Sequence, residues 1–435
     1  MAEGRPEKAH VLHLFSGRRF RGNLRSTIKE FAALNYKHFP RGVDVHVAEV
    51  DYLNCNCWDD KLKRPAAEVC ADTPNERCCN LMRDHVYNGL LRECKTGKYT
   101  CVVAGIPCNG YSCLRFLDDG GARALRDREH PTGLPGLSEQ DRASLAMSNT
   151  LTVRSLALCA AVFEAGGEVL IENPMDYGEP GLWATNPRTG RVEADSAVAA
   201  ARLQKRHAPL WCMPWTRSFA EATDAELLNF AQCRFESPFQ KYTSLLVTRD
   251  FERCAPSLSA FRDKPCTCRK PHAKVAVGRN ANGDWVSAAS ARYPEAMNEQ
   301  IARAVRELVH ARLRTRADDA TKAWRTERMR SFWRILGSAE AQAACSKTLA
   351  GTWQREKPDG AQRSFVQPTL HTMMGAATTA APAAATRVSA PAAREASTNK
   401  PIAAAPAVAA PLVAAPAAAP SAAREAMLSL SLIHI

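Results

Sequence analysis

The sequence predicts an α/β protein built on a mostly parallel, doubly wound sheet with helices on both faces. Between residues 10 and 300, short β-rich runs alternate with segments of helical character, which is typical of a parallel sheet with crossover helices. Hydrophobic residues make up 46% of the 435 residues, enough to bury a sizeable core. Because no run of about 18 uncharged apolar residues occurs, we expect no membrane span.

The predicted elements follow one another over the first 175 residues. Ser138 is the expected N-cap of the longest helix. In chain order we expect a strand at 10–15, a helix at 23–38, strands at 43–50 and 99–106 with a helix at 78–95 between them, a helix at 138–166 and a strand at 167–173.

Composition divides the chain into parts. Residues 301–365 carry 14 Lys and Arg against 7 Asp and Glu, which suits either a solvated helical face or a helix lying along a phosphate backbone. Further on, Ala and Pro dominate, and such a composition predicts disorder. The predicted parts are a core at 1–179, a smaller part completing the sheet at 180–310, a basic helical extension at 311–365 and a disordered tail at 366–435.

The net charge, the N-terminal sequence and the cysteine content bear on the binding partner and the cellular compartment. The net charge of +13 favours a polyanionic partner. The charged N-terminus lacks the apolar stretch of a secretory signal, so we expect a nuclear or cytoplasmic protein that is not secreted. In such a reducing compartment the 16 cysteines are thiols, metal ligands or catalytic groups more often than disulfides.

Residues that could bind a ligand follow the first two predicted strands. LHLFSGRRFRGNL leads from a strand into a helix through Gly17 and Gly22, and glycines there let a ligand approach the backbone. An ordinary tight strand–helix turn is the alternative. The second strand ends in AEVD, where Glu49 or Asp51 could grip the hydroxyls of a ribose or simply face solvent.

The third and fourth strands also end in reactive residues. AGIPCNGYS places Cys108 after Pro107, which cannot continue a central strand. Nearby positive charge, such as Arg115, could make this cysteine nucleophilic. The fourth strand ends in IENP, and the carboxyl group of Glu172 could protonate a ring to which a cysteine adds.

These four stretches, in this order, resemble the C5-cytosine-specific DNA methyltransferase family, a branch of the class I S-adenosylmethionine-dependent methyltransferases. FSG is similar to the first cofactor motif, EVD to the ribose-gripping E-x-D motif, GIPCNGYS to the G-x-P-C-x-x-(F/Y)-S nucleophile loop and ENP to E-N-V. The resemblance covers residues 10–175. The family's Q-R-R-x-R and closing G-N motifs have no clear counterpart, although segments 232–247 and 285–305 stand in similar places.

The resemblance implies a class I methyltransferase-like fold, S-adenosylmethionine as cofactor, and DNA as partner, with RNA as an alternative. Cys108 would attack C6 of a flipped-out cytosine, Glu172 would act at N3, and Asn173 would brace the loop that carries Glu172. The cofactor would contact Phe15, Ser16, Gly17, Gly22, Asn23, Leu24, Glu49, Asp51 and Pro107. The base would contact Asn109, Tyr111, Ser112, Arg115, Gln240 and Lys241.

Two other functions fit the same residues. The first is a methyltransferase-like protein of a mobile element that has lost turnover and holds nucleic acid. The second is a methyltransferase acting on RNA or on another base, in which Cys108 is not the nucleophile.

A separate group of cysteines suggests a structural metal. Cys254, Cys266, Cys268 and His272 make a complete set of four ligands of the kind that zinc takes. A basic loop with unrelated cysteines is the alternative. For a second cysteine-dense stretch we favour reduced thiols over zinc: Cys55, Cys57, Cys70, Cys78 and Cys79.

Overall fold

A mixed six-stranded sheet forms the centre of the protein. The computed structural model describes residues 8–17, 22–33, 43–51, 58–59, 64–65, 79–116, 122–177, 206–239, 241–268, 272, 290, 292–315 and 317–345. The strands are β1 (Lys8–Leu14), β2 (Asp44–Val50), β3 (Trp58–Asp59), β4 (Arg64–Pro65), β5 (Cys101–Gly105), β6 (Glu168–Pro174), β7 (Glu226–Ala231) and β8 (Tyr242–Val247). The helices are α1 (Leu24–Ala33), α2 (Asp84–Lys95), α3 (Glu139–Glu164), α4 (Pro214–Thr223), α5 (Arg249–Cys254), α6 (Glu295–Arg314), α7 (Asp319–Leu336) and α8 (Ala339–Ala343).

The strands lie in the order β2-β1-β5-β6-β8-β7, and β3 and β4 form a separate two-stranded hairpin. β1, β2, β5 and β6 are mutually parallel, whereas β8 runs antiparallel to both β6 and β7. The α/β class is therefore confirmed, with a sheet that is parallel over four strands and mixed at one side. The parallel strands are those that the sequence predicts from its four β-rich runs.

The inner strands β5 and β6 are buried on both faces, as is typical of parallel strands covered by helices on both sides, whereas β2, at the edge of the sheet, begins with alternating exposed and buried residues. On β1, Val11 points to one face of the sheet and Leu12 to the other, as the two-residue period of a strand requires. β5 alternates in the same way, with Val102 and Val103 on opposite faces. Each face is then covered by its own layer of helices.

Different helices cover the two faces. On one side α1 packs against α6, and the apolar side chains of α1 and α6, such as Ile28 and Val305, join those of the sheet. On the other side α2, α4 and α7 surround α3, where Leu91, Phe219 and Phe332 belong to one core cluster. Helices on both faces agree with the predicted doubly wound arrangement.

α3 is the central helix of the layer that α2, α4 and α7 complete on one face of the sheet. The Ser138 hydroxyl accepts a hydrogen bond from the backbone N–H of Asp141 at 3.1 Å, so the predicted N-cap is confirmed. The helix is long and apolar enough to cross a membrane, but 89% of its apolar window is buried inside the fold. Packing on both sides accounts for this composition without a membrane.

α7 lies within the segment predicted as a separate basic extension, yet it is part of the core. Met329, Phe332 and Leu336 are fully buried, and the guanidinium group of Arg325 is buried among backbone carbonyls and carboxylates. The expected solvated or phosphate-binding face is therefore restricted to the outer side of α7, where Trp324 is 51% exposed. The predicted disordered tail at 366–435 lies outside the described residues.

Candidate active site

The four predicted strand-end motifs meet at one edge of the sheet. Since β1, β2, β5 and β6 are parallel, their carboxyl ends lie on the same side. Phe15 directly follows β1 and Asp51 directly follows β2. Cys108 comes three positions after the end of β5. Glu172 is the third residue from the end of β6, where it lies opposite Gly105. The topology thus brings together residues separated by more than a hundred positions.

The loop after β1 has an unusual backbone. Phe15, Gly17 and Gly22 have positive φ angles of 58°, 69° and 78°, a region that is costly for a residue as bulky as phenylalanine. The N–H of Phe15 donates to the Val50 carbonyl at 2.8 Å, which holds the loop beside the end of β2. Left-handed backbone maintained by surrounding contacts is common at ligand sites. Ser16, between these residues, is half-buried.

The two acids after β2 have different partners. An Asp51 carboxylate oxygen accepts the N–H of Gly17 at 2.8 Å, so this buried acid joins the end of β2 to the loop. The side chain of Glu49 is 2% exposed and lies 3.4 Å from the guanidinium group of Arg25 on α1. Any ligand that uses Glu49 must share it with Arg25.

Two predicted cofactor residues have structural side chains. The Asn23 side-chain oxygen accepts the N–H of Ser26 at 3.0 Å and so caps α1. Leu24 is buried in the core below. A contact of these two residues with a ligand would therefore have to come from the backbone.

Cys108 begins a short 3₁₀ turn, Cys108–Gly110, directly after the half-buried Pro107. The fully buried Asn173 holds this turn in place, because its amide donates to the Ile106 carbonyl at 2.7 Å. The sequence interpretation expected Asn173 to brace the loop of Glu172. The hydrogen bond that the structure describes joins the end of β6, next to Glu172, to the segment leading to Cys108.

The thiol of Cys108 is half-buried between opposing charges. Burial raises its pKa above the usual value for cysteine, the positive charge of Lys241 lowers it, and the negative charge of Glu172 raises it again. Arg115 adds a further lowering effect on the pKa. The resting thiol is therefore protonated, and its activation depends on the balance between Glu172 and Lys241.

Glu172 is held by groups from two other parts of the chain. The hydroxyl of Tyr293 donates to Oε2 of Glu172 at 2.8 Å, and Nζ of Lys241 lies 3.7 Å from Oε1. Gly105 makes room for this arrangement, because a Cβ atom there would lie 2.8 Å from the Tyr293 hydroxyl. The sequence did not predict a role for Tyr293. The residue belongs to none of the four motifs, and its sequence shows only that it lies just before a long helix, α6.

The remaining predicted base-contacting residues mainly stabilise the turn. The Tyr111 hydroxyl shares a hydrogen bond with the Thr152 hydroxyl at 2.7 Å, and the Arg126 guanidinium lies 4.2 Å from the centre of the Tyr111 ring. Ser112 accepts the N–H of Leu114 at 3.2 Å. Gln240 lies outside the described residues.

Arg115 is close to the turn but is engaged with backbone groups. Its Nε donates to the Asn109 carbonyl, and its Nη1 donates to the Arg123 carbonyl at 2.8 Å. The side chain therefore folds back over the segment that follows Cys108, and its charge acts on the thiol from there.

His207 fixes the same segment from the opposite side. Its Nε2 donates to the Tyr111 carbonyl at 2.9 Å, and its Nδ1 accepts the N–H of Tyr177 at 3.4 Å. Burial lowers the pKa of His207 to about 4, so the ring is neutral near pH 7. Both ring nitrogens are occupied by backbone groups, which indicates a structural role.

A second site, of cysteine and histidine, lies beyond the end of β7. Cys233, Cys266, Cys268 and His272 place their ligand atoms within 4.8 Å of one another, and this cluster could hold a metal ion. Three of the four predicted ligands are therefore brought together, but the fourth is Cys233. Cys254 ends α5, where the charges of Arg312, Glu168 and Asp250 act on its thiol.

The cluster depends on a backbone pairing that the local sequence does not reveal. The segment around Lys264 runs beside β7, with the Ala231 N–H donating to the Lys264 carbonyl at 2.9 Å. This pairing brings Cys266 and Cys268 next to Cys233 at the start of the turn after β7. β7 is parallel to β6, so the cluster lies on the same edge of the sheet as Glu172.

No known protein-family model matches the chain, and no curated protein is a significant match to it. Function is therefore inferred from the geometry of the residues themselves.

Proposed function

We propose that the protein transfers a methyl group from S-adenosylmethionine to C5 of cytosine in DNA. The observation that carries the proposal is that Cys108, in the turn after β5, and Glu172, near the end of the neighbouring β6, lie at the same edge of the sheet as the strained loop after β1. A thiol and a carboxyl group brought together in this way can act on one electron-poor ring. The parallel strands, with helices on both faces, also support a class I methyltransferase-like fold.

Cys108 acts as the nucleophile. As its sulfur forms a bond to C6 of the cytosine, the thiol proton passes to the carboxylate of Glu172, the electrons of the C5–C6 double bond move into the ring, and Glu172 gives the proton to N3. C5 becomes nucleophilic and takes the methyl group that the cofactor supplies. Loss of the C5 proton to solvent then lets the C6–S bond break, and the proton on N3 returns through Glu172 to the thiolate of Cys108.

The loop after β1 fits a nucleoside-type cofactor. Its positive-φ residues give the loop a backbone conformation that lets a ligand approach closely at the end of the sheet, and Glu49 lies next to them on β2 with its carboxylate beside Arg25. Phe15, Gly17, Glu49 and Asp51 would hold the cofactor.

The charge around Cys108 favours a polyanionic substrate. Lys241 and Arg115 act on the thiol directly, and Arg206 lies 5.9 Å from the ring centre of Phe116 at the end of the same segment. Arg206 is exposed, and such a side chain can neutralise a phosphate beside a base that has left its stack. A cytosine inside a duplex must first flip out to reach Cys108. Because a cytosine in single-stranded DNA does not have to leave a base pair, single-stranded DNA is a useful second substrate.

Methyl transfer is tested by incubating the protein with methyl-labelled S-adenosylmethionine and either DNA or RNA, and then identifying the labelled nucleoside. We expect label in 5-methylcytosine. Label in RNA or in another base would favour the second alternative function, in which Cys108 is not the nucleophile. Binding of DNA without binding of the cofactor would instead favour the protein that has lost turnover.

We also propose that the second site binds zinc. Three thiols and one imidazole form a closed tetrahedral set of the kind that structural zinc takes. Burial raises the pKa of Cys233, and the neighbouring Cys266 raises it further, so these thiols need a cation in order to ionise together.

Replacing Cys233 by serine should release the zinc, whereas Cys254→Ser should retain it. The measurement is the metal content of the purified protein, with about one zinc ion per chain expected for the wild type. The matched pair separates the two candidate fourth ligands. Retention of zinc by Cys233→Ser, or a metal-free wild type purified without chelator, would contradict the assignment.

A further inference from the structure

We infer that Tyr293 is a positioning residue for the proposed acid: its hydroxyl holds one oxygen of Glu172 and leaves the other for N3 of the cytosine. The inference rests on the proposed methyl transfer and names a residue that the four motifs do not contain. Tyr293 lies 121 positions from Glu172 in the sequence, and their hydrogen bond is 2.8 Å long.

The two oxygens of Glu172 have different surroundings. Oε2 accepts the Tyr293 hydroxyl and faces the position where a Gly105 side chain would begin. Oε1 is buried and has no hydrogen-bond partner among the described residues. Nζ of Lys241 lies 3.7 Å from it, which is outside hydrogen-bond distance. A buried oxygen without a partner costs free energy unless a ligand completes it, so Oε1 is the oxygen available to a substrate.

The position of Lys241 agrees with this assignment. Lys241, which is near Oε1, is also the cation with the largest effect on the thiol of Cys108. Of the two oxygens, Oε1 is therefore the one beside a group that also acts on the thiol. Lys241 would stabilise the carboxylate that remains after Glu172 has given its proton.

The structure also keeps Tyr293 a donor. Burial and the charge of Glu172 raise the pKa of Tyr293 well above its usual value, so the phenol remains protonated. The start of α6 is anchored at the loop after β1, since the amide of Asn298 donates to the Gly22 carbonyl at 3.0 Å. Tyr293 lies two residues before α6, so the start of this helix connects the proposed acid with the loop that would hold the cofactor.

The test uses the full-length protein and DNA that carries tritium at C5 of cytosine. Addition of Cys108 to C6 with protonation at N3 makes C5 exchange its hydrogen with water, so tritium release without cofactor reports this step alone. Tyr293→Phe removes only the hydroxyl, and we expect tritium release to slow by about tenfold to a hundredfold. The KM for DNA and the affinity for S-adenosylmethionine should not change.

The matched control is Tyr99→Phe, which removes a similar hydrogen bond. The Tyr99 hydroxyl donates to Glu93 at 2.7 Å, just before β5 and so at the opposite end of that strand. Tyr99→Phe should exchange at the wild-type rate. A Tyr293→Phe protein that is as fast as this control, or that loses much more thermal stability than it does, would overturn the positioning role.

Two further variants test whether Tyr293 acts through Glu172. Gly105→Ala keeps the hydroxyl but places a carbon 2.8 Å from it, so exchange should slow as in Tyr293→Phe. In a Glu172→Gln protein, whose amide cannot deliver the proton, Tyr293→Phe should cause no further loss. Independent, additive losses would overturn the inference.

The outcomes also distinguish a failure of the role of Tyr293 from a failure of the proposed methyl transfer. A wild type that neither exchanges tritium nor methylates DNA would remove the proposed methyl transfer and the role of Tyr293 with it. An active wild type with an equally active Tyr293→Phe would remove only the role of Tyr293.

Discussion

Replacing Cys108 by serine is expected to slow methyl transfer by more than about a thousandfold and to abolish covalent trapping on DNA that contains 5-fluorocytosine. The assay contains S-adenosylmethionine: once C5 has taken the methyl group it carries fluorine and no proton that can be lost, so the C6–S bond formed by a cysteine cannot break and the protein stays attached. A serine hydroxyl is a far poorer nucleophile than a thiol. The attached protein is measured as a DNA-bound band under denaturing conditions.

The control for this prediction is Cys113→Ser. Cys113 lies in the next 3₁₀ segment, Cys113–Phe116, and is half-buried like Cys108. Burial raises its pKa to about 12, so it is a poor nucleophile, and its replacement should leave trapping intact. Trapping that persists in Cys108→Ser and disappears in Cys113→Ser would show that Cys113, and not Cys108, is the nucleophile. A wild type that binds cofactor but never traps would favour action on another base.

Replacing Arg325 by methionine is expected to destabilise the fold by about 3–5 kcal/mol, because it leaves a buried carboxylate short of its partners. The guanidinium group of Arg325 donates to Glu168 at 2.6 Å and to Asp250 at 3.0 Å. It also donates to the carbonyls of Phe163 and Gly167 at 3.1 and 2.7 Å. The measurement is the free energy of unfolding in urea.

The same helix provides the control for Arg325. Arg330 pairs with Glu327 at 2.6 Å, but both side chains are more than half exposed, so Arg330→Met should change the free energy of unfolding by less than about 1 kcal/mol. Equal effects of the two substitutions would show that α7 does not depend on its buried ion pair. Arg312 also contacts Glu168, and a small effect of Arg325→Met would mean that Arg312 is sufficient.

The sequence could predict the strands and the strand-end residues because both depend on local patterns. β5 and β6 are short apolar runs within two residues of their predicted bounds, and Ser138 has the side chain that a helix N-terminus needs. Once four strands are parallel, their carboxyl ends must share an edge. The convergence of Cys108 and Glu172 therefore follows from the order of the elements.

Other parts of the site could not be predicted because they depend on contacts between distant segments. Cys233 becomes a metal-ligand candidate only when the chain near Lys264 pairs with β7, and no spacing between cysteines encodes that pairing. The same holds for the Asn173 amide, whose partner is the carbonyl of Ile106, 67 positions away. The sequence predicted that Asn173 braces its surroundings, but only the tertiary structure gives the partner of its amide.

The sequence by itself determined the α/β class and the β-rich strands, since short-range periodicity and turn-forming residues specify them, and the resemblance of its strand-end motifs to a known family singled out Cys108 and Glu172 as the proposed thiol and acid. Tertiary structure alone decided that Tyr293 meets Glu172, that Cys233 replaces Cys254, and that Arg325 points into the core. The physical reason is that a side chain's partner is chosen by packing of whole elements, which brings together residues that no local pattern relates.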